Sequence, residues 1–496
     1  MANTAYEAFL ELGNFDGKER QRMLPQWIEA ATRIGLDEKD MEFAVNEFIP
    51  EMWDLQYLGI RKMIGAMTRE AIDHTQLKEQ RQRGVKLVYG IIPAILTPYQ
   101  AVKKAGGDKV FVSFPDMCLM NFLQPLFHKG APLFELAELS GLTYGCRHCA
   151  LNKLRIGLRL KDVVPAPDIQ WSFGLVCDEA TKVDEYINCI YDDNWHAVIT
   201  RLPHDTVMGE VDDEMPERVA YLAAGFRDAY EEVQRVTGVE VREEHIAGAL
   251  DDFQRYLVKT DVLTRLNAEA DPQPLRGSAL VNFCHPFSMP FNTGIEYMED
   301  ALDTMIEELK VEVAAGRGIY PKGVPKVGAY FIPYAVPWVD KIFMENGVAT
   351  SSSLTMIPSA KQLIPPSGTD LYQNMAEQWL RMVFGMGCHV EIKTWIEKVE
   401  RARPDALLMG FFDYDRWLGQ MHKMGAREVE KATGVPTFYI EADFFDDRDY
   451  SQEALRTRIE SISQVIKMRK AAKAAADRTA ALQGAEPQAT GPRGAA

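Results

Sequence analysis

Three cysteines stand where they could work together. Cys177 ends the run Asp168-Ile169-Gln170-Trp171-Ser172-Phe173-Gly174-Leu175-Val176-Cys177, which reads as a buried strand. Cys146 and Cys149 stand upstream in Tyr144-Gly145-Cys146-Arg147-His148-Cys149. A thiolate at the carboxyl end of a strand lies in the crevice where open α/β sheets bind their ligands. A Cys-x-x-Cys pair from a second segment could meet it there. Three soft ligands converging in a crevice suit an iron–sulfur cluster or zinc. A structural zinc site wants four closed ligands, and His148, inside the Cys-x-x-Cys, is poorly placed to be the fourth. A thioredoxin-like redox pair should open a helix after a strand, and Gly141-Leu142-Thr143-Tyr144-Gly145 gives only a weak lead-in. Cys118, Cys189 and Cys284 read as small buried hydrophobes, and Cys388-His389 as a structural pair near a helix.

The elements that must position these residues follow from periodicity. Residues 1–85 read as a helical N-terminal segment, with Phe43, Val45, Phe48, Met52, Leu55, Leu58 and Ile60 recurring mostly at three- and four-residue steps. It is expected to pack on a neighbouring domain or subunit. Residues 86–213 alternate strands (86–93, 110–114, 169–177, 197–203) with helices, the signature of a parallel doubly wound sheet. Residues 214–320 read as a helical bridge. A second α/β unit spans 321–470, with strands at 327–332, 405–412 and 435–440 and a helix at 338–346 ending at Gly347. The tail 471–496 has no apolar face and reads as disordered. The fold class is therefore α/β, with two Rossmann-like doubly wound parallel-sheet domains, a helical N-terminal arm and a helical bridge, leaving a cleft between the sheets.

Bulk composition narrows the function. The chain has 496 residues, 47% hydrophobic and 26% charged, with a formal charge of −17. A chain this acidic has no electrostatic reason to seek nucleic acid or anionic membranes. No apolar run is long enough to span a bilayer, and the first residues do not read as a signal peptide. Seven cysteines, an odd number, argue for reduced thiols in a cytoplasmic protein.

Several runs then resemble a known family. One is Gly434-Val435-Pro436-Thr437-Phe438-Tyr439-Ile440-Glu441-Ala442-Asp443-Phe444-Phe445-Asp446-Asp447-Arg448, followed by Tyr450-Ser451 and Arg456-Thr457-Arg458-Ile459-Glu460. Others are Cys149 with Gly157 eight residues on, Pro165-Ala166-Pro167-Asp168, Cys177-Asp178 with Lys182, and Pro404-Asp405-Ala406-Leu407-Leu408. Together, over roughly residues 86–465, they resemble the 2-hydroxyacyl-CoA dehydratase and benzoyl-CoA reductase subunits (2-hydroxyglutaryl-CoA dehydratase D-component-like). The resemblance implies a 4Fe-4S cluster held between two Rossmann-like domains and a second homologous catalytic subunit. It also implies a separate ATP-dependent iron–sulfur activator and an acyl-CoA or aryl-CoA substrate. No Gly-x-x-x-x-Gly-Lys-Ser/Thr loop is present, consistent with ATP being handled elsewhere. Lys153, Arg155, Lys161 and Lys182 near the cysteine segments read as ordinary surface charge or as ligands for the CoA phosphates.

The family's third cysteine is expected just after the Asp405 strand, where this chain has Phe411-Phe412-Asp413-Tyr414-Asp415-Arg416. Three readings stand. Cys146 joins Cys149 and Cys177 as the third thiolate. Alternatively Asp413, Tyr414, Asp415 or Cys388 completes the site, or the subunit holds no ordinary cluster. Function divides likewise among an aryl-CoA (benzoyl-CoA-type) reductase subunit, a 2-hydroxyacyl-CoA dehydratase subunit and a cluster-free partner. The Ala- and Arg-containing tail suggests a high-GC genome, and on that basis the reductase is the leading expectation.

Overall fold

The computed structural model describes residues 4–91, 95–142, 148–174, 178–192, 194–203, 216–285, 289, 292–330, 336–382, 387–411, 416–441, 443, 445–449 and 451–484. Among the described residues, eight strands form two four-stranded parallel sheets. The first contains β1 (Lys86–Gly90), β2 (Val110–Ser113), β3 (Ile169–Gly174) and β4 (Ala197–Arg201), in the order β2-β1-β3-β4. The second contains β5 (Lys326–Tyr330), β6 (Ala349–Ser353), β7 (Ala406–Phe411) and β8 (Thr437–Glu441), in the order β6-β5-β7-β8. Each sheet thus starts on a central strand, steps to one side, then crosses back to the other. That reversal makes a switch point at the carboxyl ends of β1 and β3, and another at β5 and β7, the places where such sheets take ligands.

The fold class read from the sequence is what the structure has. The central strands are near-continuous apolar runs, as strands covered on both faces must be. One strand departs from this. β6 is Ala-Thr-Ser-Ser-Ser and fully buried, and periodicity gave no sign of it. Its polar groups are satisfied by neighbours instead: Thr350 donates to Asp340 at 2.6 Å, and Ser351 to the Val327 carbonyl at 3.2 Å. Buried hydroxyls of this kind are stable only when paired.

The Pro-Asp steps noted in the sequence have a shared structural role. Asp168, just before β3, accepts from the Leu87 N–H on β1 at 2.9 Å, while its own N–H donates to the Leu87 carbonyl at 2.9 Å. Asp405, just before β7, does the same to Lys326 on β5, at 2.8 and 2.7 Å. Each aspartate pins the register of a third strand against the central one. Gly157 is also explained. A Cβ there would lie 2.2 Å from the Leu133 carbonyl oxygen, so glycine alone lets the helices Ala131–Leu139 and Ala150–Leu160 approach this closely.

The N-terminal helices pack on the first unit. Phe9, Trp27, Phe122 and Phe127 form one aromatic cluster, with Phe9 and Trp27 4.9 Å apart, tying the arm to the helix Pro115–Phe127. The bridge consists mainly of the helices Pro216–Thr237, Glu243–Glu269 and Glu296–Ala314. A single apolar core runs continuously through the arm, both sheets and the bridge. The last helix, Gln452–Gly484, corrects one expectation: residues 471–484 are helical rather than disordered. They are Ala-rich, and alanine's high helix propensity extends an exposed helix without an apolar face. Among the described residues, no helix is long and apolar enough to cross a membrane.

Removing either register pin should be felt. Asp168→Ala and Asp405→Ala are each expected to cost about 1–3 kcal/mol, the usual cost of leaving buried backbone donors unpaired. Thermal unfolding followed by circular dichroism checks this; a wild-type melting curve for both variants would contradict it.

Candidate functional site

The helix Ala150–Leu160 begins against the residues that follow β8 of the second sheet. Its N-cap residue is Cys149, half-buried, whose carbonyl accepts from the Asn152 and Lys153 N–H groups at 3.0 and 3.1 Å. The next N–H, of Ala150, donates at 3.3 Å to Asp443, which follows β8 of the other sheet. The two units meet at other points as well. Thr97, opening the helix after β1, bonds Gln378 at 2.5 Å, and the rings of Phe173 on β3 and Trp379 lie 4.1 Å apart. Gln124 donates to the Phe445 carbonyl at 2.7 Å. A helix N-terminus carries partial positive charge, which favours a thiolate over a neutral thiol.

Two cations on this helix are buried, contrary to the expectation of surface charges or phosphate ligands. Lys153, 2% exposed, pairs with Glu138 at 3.0 Å and Asp446 at 3.3 Å. Arg448 closes that group, bonding Asp446 at 2.8 and 2.7 Å and Glu138 at 2.7 Å. Burial works against a charged Lys153, but Glu138, Asp446 and Asp443 outweigh it and hold the ammonium above its ordinary range. Arg155 faces the other way, into the first unit, where it pairs with Asp116 and Asp184, both almost fully buried. Burial opposes its charge too, and Asp116, Asp184 and, more weakly, the Cys149 sulfur restore it. Lys161, at the C-terminal end of the Cys149 helix, and Lys182 are exposed.

The other sequence candidates divide. Cys146, Cys177 and Asp413, Tyr414 and Asp415 lie outside the described residues. Cys388 opens the helix Cys388–Ala402 of the second unit, its thiol pushed up by burial and by Glu391. Cys284 is buried, Cys118 is partly buried, and burial raises both thiols. Cys189 is exposed, against the expectation that it is a core residue. Among the described residues, no three of His, Cys, Asp and Glu are gathered to hold a metal. What the described residues offer an iron–sulfur cluster is one soft donor, Cys149, at a helix N-terminus. A thiolate is the donor type such a cluster takes, and Cys146 and Cys177, the other two expected donors, lie outside the described residues. The carboxylates were the residues the sequence reading missed. Asp116, Asp443 and Asp446 each sit within a few residues of a strand's carboxyl end, and that position was the available signal; Asp184, well along the helix after β3, carried none.

Asp443 gives the site a pH signature. Burial, and then Asp446, push its carboxyl from 3.8 up to about 6. Between about pH 4 and pH 6 the folded chain keeps a proton that the unfolded chain has released. Stability from this group therefore falls as pH rises through that window, by up to ~3 kcal/mol. Asp443→Asn should remove the dependence. The melting temperature of the variant relative to wild type should rise between about pH 4.5 and pH 7, read by calorimetry. A constant difference would contradict the assignment.

Comparison with known proteins places the chain in a family. The family model described as 2-hydroxyglutaryl-CoA dehydratase, D-component, matches residues 123–466. The (R)-phenyllactyl-CoA dehydratase alpha subunit of Clostridium sporogenes is 23% identical over 350 residues, 69% of this chain and 82% of that one. The lactoyl-CoA dehydratase subunit alpha of Anaerotignum propionicum is 22% identical over 371 residues, 69% and 84% of the two chains. The (R)-2-hydroxyisocaproyl-CoA dehydratase alpha subunit of Clostridioides difficile is 23% identical over 361 residues, 68% and 81%. With more than half its length matched in this way, the chain belongs to the 2-hydroxyglutaryl-CoA dehydratase D-component family.

Proposed function

We propose that this chain is a subunit of a 2-hydroxyacyl-CoA dehydratase. Its partners in that reading are a second homologous subunit and an ATP-dependent iron–sulfur activator. The reading replaces the earlier preference for an aryl-CoA reductase. The family model and all three relatives carry dehydratase names, and the composition of a tail is a weaker guide than these. The observation that carries the proposal is the family match over residues 123–466, which spans the helix that Cys149 caps.

In this reading Cys149 and Cys177 hold a 4Fe-4S cluster, with Cys146 as the third thiolate. When bound, such a cluster supplies the low-potential electron that no side chain can deliver to a thioester carbonyl. The protein's share is to fix the ligand-bearing helix, to exclude water from the crevice and to keep competing charges paired. Lys153 and Arg155 serve that last purpose. Both are committed to carboxylates and are not assigned to CoA phosphates. A second reading, a cluster-free partner subunit, draws on the sequence Asp413-Tyr414-Asp415 where the family places a cysteine.

The test is iron and acid-labile sulfide content with electron paramagnetic resonance, on protein co-purified anaerobically with its partner. About four irons per chain, lost in Cys149→Ala and Cys177→Ala, is the expected result. Turnover of a 2-hydroxyacyl-CoA but not of an aryl-CoA is expected alongside it. A colourless wild type, unchanged by either substitution, would favour the cluster-free reading.

A further inference from the structure

We propose that a single water molecule is bound between the first sheet and the helix Ala150–Leu160, where it bridges Tyr89 on β1 to Gln170 on β3. The site is a cavity of about 20 Å3. Leu158 and Arg159 of the helix line one side of it, and Tyr89, Gly90 and Gln170 of the sheet line the other. Tyr89 and Gln170 are register partners on neighbouring parallel strands, so their side chains leave the same face of the sheet. They are 2% and 1% exposed. A phenol and an amide this deep in a layer of apolar strands each need a partner.

Among the described residues, three polar atoms of the side chains around this cavity meet no protein partner: Tyr89 Oη, Gln170 Nε2 and Arg159 Nε. Their number and kind match one water. The amide and the guanidinium are donors, and a water oxygen accepts two such bonds. The water can then donate to the phenol oxygen. Two to four polar partners are what a buried water takes, and about 10–15 Å3 is the space it needs, so the cavity holds one and has no room for an organic ligand. Two N–H donors out of three groups make a poor cation site. Charge disfavours an anion as well, because Arg155 and Arg159 at the cavity are already matched by three carboxylates, Asp116, Asp184 and Asp192. Burial pushes the Tyr89 phenol up, so it stays neutral and keeps its proton.

The bridge couples two residues that do not bond each other directly. Removing one of them leaves the water, and through it the other side chain, short of a partner. Removing both with apolar groups of similar shape removes the need for the water, and such paired replacements can be nearly neutral. Tyr89→Phe and Gln170→Met keep the shapes of the two side chains closely enough to make that comparison. The helix seated over this layer is the one that Cys149 caps, but the inference is independent of what Cys149 binds.

The experiment is a high-resolution crystal structure of the full chain grown in bromide, with melting curves for wild type, the two single variants and the double variant. One density peak is expected about 2.7–3.2 Å from Tyr89 Oη and from Gln170 Nε2, with no anomalous signal from bromide. Each single variant should lower the melting temperature by about 2–4 °C, and the double variant should fall no further than the worse single. A cavity without density, a direct bond between Tyr89 and Gln170, or a bromide signal at the site overturns the proposal. So does a double variant whose loss equals the sum of the singles. If a variant does not fold, the wild-type density decides alone: the peak supports the proposal, and its absence overturns it.

Discussion

A cation removed from water must find a carboxylate, and this protein buries two of them on one short helix. Lys153 draws its partners from Glu138 and from Asp446 beyond β8, and Arg155 draws its partners from Asp116 and Asp184 in the first unit. The cost of an unpaired buried charge is several kcal/mol. The helix therefore cannot rest unless both sets of carboxylates are in place. Its N-cap is Cys149. The same electrostatic demand that holds the two units together also fixes where that thiol stands.

The two sheets are variations on one plan. Each has the same strand order, and each opens its third strand with Pro-Asp, whose carboxylate pins the central strand. The two units are joined by pairs drawn from both: Thr97 with Gln378, Phe173 with Trp379, Ala150 with Asp443. The asymmetry lies in β6, whose serines and threonine replace the usual apolar run and are held by Asp340 and by backbone carbonyls.

Much of this was legible in the sequence, for a physical reason. Seven of the eight described strands announced themselves by runs rich in apolar and β-branched residues; β6 did not, because its burial is satisfied by hydrogen bonds rather than by apolar side chains. The charged residues were the harder part. Lys153 and Arg155 look like surface residues until their partners, up to 293 positions away, are folded against them, and no local pattern carries that information. The tail was misjudged for the opposite reason: residues 471–484 lack an apolar face, but alanine needs none to stay helical. Cys149 was singled out by its neighbours in the sequence, and the structure places it at a helix N-terminus.

The long reach of the Lys153 pairing has a consequence in time. Asp446 leaves the ribosome 293 residues after Lys153, which at about 5–20 residues per second is roughly 15–60 s later. During that interval Glu138 can hold the lysine, but Asp443 and Asp446 are not yet there to close over the start of the helix. The start of the Cys149 helix is therefore made long before the carboxylates that close over it, and its final packing must wait for them.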